Sequence, residues 1–183
     1  DDGDVIAFAS RAALLARDTN TCPPIAMGAT GPSCSDIYVY TRSTDTLVRA
    51  SVGAGGTEAD GPSREPSLTA NGSQVAFTSA ATNLIAGDTN SASDIFLRTL
   101  ATTEIARVSL SGTGAQGDRG SSLPRLTDDG QMLAFLSEAT NFADSPNTLP
   151  CDATHPCARA FVRSLATGAI ARIPAQDVWS ETL

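Results

Sequence analysis

The stretch Pro66-Ser67-Leu68-Thr69-Ala70-Asn71-Gly72-Ser73-Gln74-Val75-Ala76-Phe77 decides the fold, because it returns 58 residues later as Pro124-Arg125-Leu126-Thr127-Asp128-Asp129-Gly130-Gln131-Met132-Leu133-Ala134-Phe135. The register holds without a gap from Ala50-Ser51-Val52 and Val108-Ser109-Leu110 through to Ala81-Thr82-Asn83 and Ala139-Thr140-Asn141. A third copy opens the chain, where Asp2-Gly3-Asp4-Val5-Ile6-Ala7-Phe8-Ala9-Ser10 matches residues 71–79. After a variable loop each copy resumes with Asp36-Ile37-Tyr38-Val39-Tyr40, Asp94-Ile95-Phe96-Leu97-Arg98 or Arg159-Ala160-Phe161-Val162-Arg163, and each closes on Leu47-Val48-Arg49, Ile105-Ala106-Arg107 or Ile170-Ala171-Arg172. A fixed internal period of this length marks a repeat architecture.

Within the second copy four short strands are expected, about Ser67 to Thr69, Gln74 to Ser79, Asp94 to Leu100 and Glu104 to Leu110. Asn71-Gly72 is a hairpin signal between the first two, since both residues tolerate the positive φ of tight turns. Val75-Ala76-Phe77 and Ile95-Phe96-Leu97 are apolar on consecutive residues, so their sheet is covered on both faces. Four-stranded antiparallel units of this size, covered on both faces by their neighbours, are the blades of a β-propeller. No segment sustains a 3.6-residue period, and Gly, Ser, Thr and Asp interrupt every helical candidate, which argues against a helical solenoid. The chain is therefore expected to be all-β, with blade 1 in residues 1–52 lacking its first strand, blade 2 in 53–110, blade 3 in 111–173 and a tail in 174–183.

The pattern Pro-x-Leu-Thr-x-Asn/Asp-Gly-x-x-x-Ala-Phe, followed by Asp-Ile-Phe/Tyr and an Ile-Ala-Arg-Val-like strand, resembles the WD40-like repeat of TolB-type bacterial β-propellers. The variant Ala-Thr-Asn-Leu-Ile-Ala-Gly-Asp-Thr-Asn-x-x-Ser-Asp-Ile-Phe looks like the long-repeat form of secreted bacterial proteins. The resemblance runs from Asp1 to about Ile173 and is specific for fold, weak for function. Propellers close with about 4 to 8 blades, so roughly three repeats form an incomplete ring. Three readings follow: a piece of a longer chain, which the missing first strand favours, two copies joined into a six-bladed ring, or an open arc. An arc exposes apolar blade faces and strand edges that invite association.

Of the 183 residues, 41% are hydrophobic and 5% aromatic, apolar material enough for an ordinary domain. Twelve basic residues stand against 20 acidic ones, for a net charge of −8, and every basic residue is an arginine. Without lysine there is no Schiff base and no P-loop, and an acidic surface repels nucleic-acid phosphates and anionic headgroups. Neither nucleic acid nor membrane insertion is expected, since no apolar run approaches about 18 residues. The opening Asp1-Asp2-Gly3-Asp4 carries no signal-peptide pattern.

Cys22 and Cys34 lie in the long loop of copy one, Cys151 and Cys157 in the same loop of copy three, and the short loop of copy two has no cysteine. Of the three pairings open to four cysteines, this placement favours Cys22 with Cys34 and Cys151 with Cys157. Such bridges order their own loops and imply an oxidising compartment, hence an extracytoplasmic protein, whether periplasmic, secreted or on the cell surface. With 11 and 5 residues between the partners, and His155 inside the second pair, zinc is the weaker reading.

His155, the sole histidine, sits between Thr154 and Pro156 with no Gly-x-Ser-x-Gly elbow anywhere, and reads as an exposed loop residue, not a catalytic base. Asp88, Asn90 and Asp94, echoed by Asp18, Asn20 and Asp36, offer the hard oxygens that calcium takes; the other reading is Asx turns and strand-edge hydrogen bonds. Copy three departs from this set, with Asp144 displaced and Arg159 in place of Asp94. Glu58, Asp60 and Asp118 in the Gly-rich linkers are either carboxylates for sugar chemistry or solvated loop charges. Arg49, Arg107 and Arg172 recur at one position and point to a shared structural role, whereas Trp179 falls beyond the last repeat. The expected function is a non-enzymatic extracytoplasmic binding or scaffolding propeller, without a catalytic residue or an obligatory cofactor, engaging a protein or glycan. Its missing blades come in cis or from a second copy in trans. An accessory propeller of a prolyl-oligopeptidase-type hydrolase, with the catalytic domain outside these residues, is the alternative, and a stand-alone glycan-processing enzyme is a third.

Overall fold

The computed structural model describes residues 3–20, 34–142 and 158–173. Eleven strands form three antiparallel sheets, joined in chain order. The first sheet holds β1 (Val5–Ser10), β2 (Asp36–Thr41) and β3 (Thr46–Arg49). The second holds β4 (Ser63–Leu68), β5 (Gln74–Ser79), β6 (Asp94–Thr99) and β7 (Ile105–Arg107). The third holds β8 (Ser121–Leu126), β9 (Met132–Ser137), β10 (Arg159–Ser164) and β11 (Ile170–Arg172). Among the described residues the one helical element is a short 3-10 turn at Ala54–Gly56, and no helix is long and apolar enough to cross a membrane. Consecutive strands pairing as meanders, sheet packed on sheet, make these propeller blades.

The second and third strands of blade 2 lie where their apolar runs place them. Val75, Ala76 and Phe77 are all buried, because alternate residues of β5 face different neighbours. Val75 and Phe77 point to blade 1 and pack with Phe96 against Ile37, Val39 and Ala50. Ala76 points the other way and, with Ile95 and Val108, meets Leu133, Phe135 and Phe161 of blade 3. Each blade thus carries an aromatic ridge on one face and a seat of smaller side chains on the other. The ridge is a stacked pair in every copy: Phe8 on Tyr38, Phe77 on Phe96, and Phe135 on Phe161, with centroids 5.8, 6.0 and 6.0 Å apart. Arginine prongs add a polar tie, Arg98 Nη1 donating to Val52 O at 2.8 Å and Arg163 Nη1 to Leu110 O at 2.6 Å.

Three local expectations need correction. β4 starts at Ser63, ahead of the expected Ser67, because a bulge between Arg64 and Ser67 takes Pro66 out of the ladder and lets pairing resume beyond it. Glu65 inside that bulge has φ +59°, and Leu123, before Pro124, repeats it at +54°. The hairpin is a four-residue connection in which Gly72 has φ +65° while Asn71 keeps a negative φ. Asn71 instead accepts hydrogen bonds from Ser73 N at 3.0 Å and Thr69 Oγ1 at 2.9 Å, and Asp129 does the same for Gln131 N and Thr127 Oγ1. β7 ends at Arg107, short of the expected Leu110, and the chain turns into the linker through a single bridge of Leu110 to Gln116.

The ridge-and-seat contact makes Phe77 a central support of the blade 1–blade 2 core. Phe77→Ala is expected to cost about 3–5 kcal/mol, the range for emptying a packed phenylalanine site. Urea denaturation followed by far-UV circular dichroism measures it.

Candidate functional site

The aspartates singled out as ion ligands converge on an arginine in each of blades 1 and 2, whereas Asn20 and Asn90 turn to the linker. In blade 1, Arg49 at the end of β3 reaches Asp18 Oδ1 at 3.0 Å and Asp36 Oδ2 at 3.6 Å through Nη1, and Glu58 Oε1 at 2.8 Å through Nη2. In blade 2, Arg107 at the end of β7 meets Asp94 Oδ2 at 3.1 Å through Nε and Asp88 Oδ2 at 3.6 Å through Nη2. Asp36 and Asp94 are the first residues of β2 and β6, so the arginine ties the last strand to the one beside it. The loop before that strand adds Asp18 or Asp88. Both guanidinium groups are buried, and the carboxylates offset most of their lost hydration, with Arg49 Nη2 also donating to Arg17 O at 3.0 Å and Arg107 Nη1 to Gly87 O at 3.4 Å.

A serine two residues past the arginine completes the arrangement. Ser109 Oγ donates to Asp94 Oδ1 at 2.6 Å and accepts from Ile95 N at 3.1 Å; Ser51 does the same for Asp36 and Ile37. Asn20 and Asn90 act on the following linker, their amides donating to Ala59 O at 2.9 Å and Gly117 O at 2.8 Å. Tyr38 adds a hydroxyl donated to Asp18 in blade 1 alone, and burial together with that carboxylate pushes its phenol up to about 12. Among the described residues no group of three or more His, Cys, Asp or Glu could hold a metal ion. Arg172 lies at the end of β11, and Arg159 replaces the aspartate at the start of β10.

The linker carboxylates, read either as groups for sugar chemistry or as solvated loop charges, carry hydrogen bonds, with Asp60 and Asp118 exposed and Glu58 half-buried. Glu58 accepts from Thr19 N at 2.8 Å and Thr19 Oγ1 at 2.6 Å besides Arg49. Gln116 stands at the same place in the second linker. Its carbonyl takes the two Thr89 donors, and its amide donates to Asp88 Oδ1 and Asp94 Oδ2, both at 3.0 Å. Two residues on, Asp60 caps Thr82 N and Oγ1, both at 2.6 Å, and Asp118 caps Thr140 in the same way. Asn83 and Asn141 clasp the linker backbone, donating to Glu58 O and Gln116 O at 2.8 Å. Each linker is therefore held from behind by one blade and from ahead by the next. Neither Ser51 and Ser109 nor Gln116 stood out in the sequence; their recurrence at fixed offsets from Arg49 and Arg107 was the available signal.

The charges behave accordingly. Burial pushes the Asp36 and Asp94 carboxyls above the usual carboxylate range, against the serine hydroxyls and arginines that favour ionisation. Burial also opposes ionisation of Glu58, but the two Thr19 donors and Arg49 outweigh it and hold its carboxyl at about 2. Asp118 is lowered too, the Thr140 donors overcoming its burial.

At the opposite end of the sheets a cleft of about 360 Å³ opens between blades, lined by Asp4, Val5, Leu68, Asn71, Gly72 and Asp128 among others. The hairpins of blades 2 and 3 meet here, Ala70 N donating to Asp128 O at 3.0 Å. Asp4 accepts from Ser43 N and Oγ, and Asp128 is exposed. Cys34 is buried just before β2; Cys22, Cys151, Cys157, Asp144, His155 and Trp179 lie outside the described residues, and so do the proposed cysteine pairings.

No family model matches the chain, and no curated protein sequence matches it. Among solved structures it is similar to a protein from Agrobacterium tumefaciens described as a TolB, at 17% identity and a TM-score of 0.47 over 76% of this chain and 41% of that one. It is similar to dipeptidyl peptidase 4 of Porphyromonas gingivalis, at 14% identity and a TM-score of 0.45 over 75% of this chain and 22% of that one. The β-propeller domain of the trilobed protease of Pyrococcus furiosus gives 9% identity and a TM-score of 0.45 over 86% of this chain and 43% of that one. The chain spans less than half the length of each.

Two outcomes follow from the arginine cluster. Arg107→Met leaves Asp88 and Asp94 buried without their cation and should cost about 3–5 kcal/mol, whereas Arg64→Ala, at an exposed site, should stay within about 0.5 kcal/mol; urea midpoints compare them. Because the folded state lowers the Glu58 pKa from 4.5 to about 2, its contribution is present above pH 4.5 and fades as pH falls toward 2. Raised carboxyls such as Asp36 act with the opposite sign. Glu58→Gln, which copies Gln116, should flatten the loss of stability between pH 4.5 and 2 in denaturation series taken across that range.

Proposed function

We propose that this chain is a non-enzymatic, extracytoplasmic binding module of a β-propeller, and that it takes a basic segment of a protein partner into the cleft at its hairpin end. The observation that carries the reading is the cleft itself, built by equivalent turns of three blades and bounded by the carboxylates of Asp4 and Asp128. Carboxylate edges on an open groove favour cationic side chains and speed their arrival. The second support is the use already made of the other polar groups. Asp18, Asp36, Asp88 and Asp94 serve the arginines, and Glu58, Asp60 and Asp118 serve the linkers, which supports a binding role for the module over ion-dependent or acid–base chemistry at these residues. The paired placement of the cysteines in two loops supports the oxidising compartment.

A fluorescein-labelled Gly-Arg repeat peptide tests this by anisotropy. Asp128→Asn should weaken binding about two- to fivefold, the worth of an exposed ion pair, and added salt should weaken it further. Glu138→Gln, an exposed carboxylate at the other end of the sheet, should leave it unchanged. Equal effects of both variants, or binding only to a glycan array, would reject the basic-peptide reading. Turnover of p-nitrophenyl glycosides or peptide p-nitroanilides by the chain would reject the non-enzymatic one.

A further inference from the structure

The described asparagines are of two kinds. Asn20, Asn83, Asn90 and Asn141 each donate the side-chain amide nitrogen to a linker carbonyl, a task that a carboxylate cannot perform. Asn71 differs. Its Oδ1 accepts from Ser73 N at 3.0 Å and Thr69 Oγ1 at 2.9 Å, and among the described residues nothing accepts from its Nδ2. At the same repeat position the other copies carry a carboxylate, Asp129 in blade 3 and Asp2 near the start of the chain, each followed by glycine as Asn71 is. Asp129 makes the same two bonds, accepting from Thr127 Oγ1 at 2.6 Å and Gln131 N at 2.9 Å, and these donors hold its carboxyl below the usual carboxylate range. The turn therefore needs an acceptor at this position and favours an anion.

We propose that Asn71 is a site of spontaneous deamidation, gated by opening of the hairpin between β4 and β5. Asn71 is exposed, and the residue after it has no side chain to shield its backbone nitrogen. Gly72 N loses its proton and bonds to Asn71 Cγ, the bond from Cγ to Nδ2 breaks, and Nδ2 takes up protons from solvent and leaves as ammonia. Water then opens the resulting cyclic imide at either carbonyl, to an aspartyl or an isoaspartyl residue. One water enters and one ammonia departs, with no oxidation or reduction. The closed turn opposes the first bond. Gly72 N donates to Thr69 O at 2.9 Å, Asn71 Oδ1 is held by its two donors, and Gly72, at φ +65°, lies so near Val5 of blade 1 that a Cβ there would fall 2.6 Å from Val5 Cγ2. Attack thus waits on a local opening of the turn. The aspartyl product recloses on the bonds that Asp129 makes, whereas the isoaspartyl product carries an extra main-chain methylene for which the contact of Gly72 with Val5 leaves no room. The charge gained stands on the cleft that Asn71 lines.

Incubation of the whole chain in mildly alkaline heavy-oxygen water, folded and in urea, followed by peptide mapping with tandem mass spectrometry, tests the proposal. In the folded chain the label should enter at Asn71 ahead of Asn20, Asn83, Asn90 and Asn141, and at least about tenfold more slowly than in urea, the worth of the hydrogen bonds broken on opening. Thr69→Ala, which removes a donor to Asn71 and the acceptor of Gln74 N, should quicken the folded rate about two- to tenfold and leave the rate in urea unchanged. Val5→Ala, a milder change that loosens the packing over Gly72 and leaves the turn's bonds in place, should quicken the folded rate as well. Asn71→Asp, which copies blade 3, should leave the urea midpoint unchanged or raise it. Absence of conversion at Asn71 in both states, equal rates folded and in urea, or a linker-bound asparagine converting as fast as Asn71 in the folded chain overturns the proposal. A folded rate indifferent to both Thr69→Ala and Val5→Ala, or a lowered midpoint for Asn71→Asp, overturns it too.

Discussion

A buried guanidinium at the end of a blade's last strand is the constraint on which the arrangement of blades 1 and 2 depends. Arg49 and Arg107 cannot be buried alone, since an unpaired charge out of water costs more than any packing around it returns. Each therefore demands carboxylates from the start of the neighbouring strand and from the loop before it. Once those are in place, the loop's threonine and asparagine are positioned to seize the next linker. The charge pair thus does more than close one sheet. It sets where the next sheet begins.

Apolar packing supplies the attraction between blades but little of this directionality, because burial is proportional to area and indifferent to angle. Stacked aromatics on one side and small side chains on the other allow sliding, which the linkers oppose. Asp60 and Asp118 bind the linker to the blade ahead, and Glu58 and Gln116 bind it to the blade behind. The exchange of Glu58 for Gln116 shows how tolerant the geometry is of charge. Gln116 replaces a carboxylate that needs cationic and hydroxyl donors by an amide that meets Asp88 and Asp94 directly, so two carboxylates, not three, share the one arginine.

Much of the fold was legible because its signals are local. The repeat of Leu68-Thr69 through Phe77 carries both the strand run and the turn, and β5 lies on the residues its apolar run marks. The beginning of β4 was hidden, since a proline ordinarily ends a strand and only the bulge at Glu65 lets pairing resume on its far side. The ion cluster was half legible. Asp18, Asp36, Asp88 and Asp94 announce themselves as oxygen ligands, and Arg49 and Arg107 as a recurring position, but nothing in spacing alone brings Arg49 to Asp18, 31 residues earlier. Sequence reading supplied the anions and the cations separately and left their meeting to the sheet topology.

The bulges at Glu65-Pro66 and Leu123-Pro124 have a bearing on how neighbouring blades meet. β4 and β8 are the first strands of their blades and lie side by side, tied by Glu65 Oε2 accepting from Leu123 N at 2.8 Å and Ser67 Oγ from Leu126 N at 2.9 Å. An unbroken strand edge is a template for another strand, and edges brought together around an axis would tend to zip shut. A proline that lacks a donor, beside a residue in the left-handed region, interrupts that template in both blades at the same height. What these two kinks prevent is a backbone ladder between the first strands of neighbouring blades, which side chains tie together in its place.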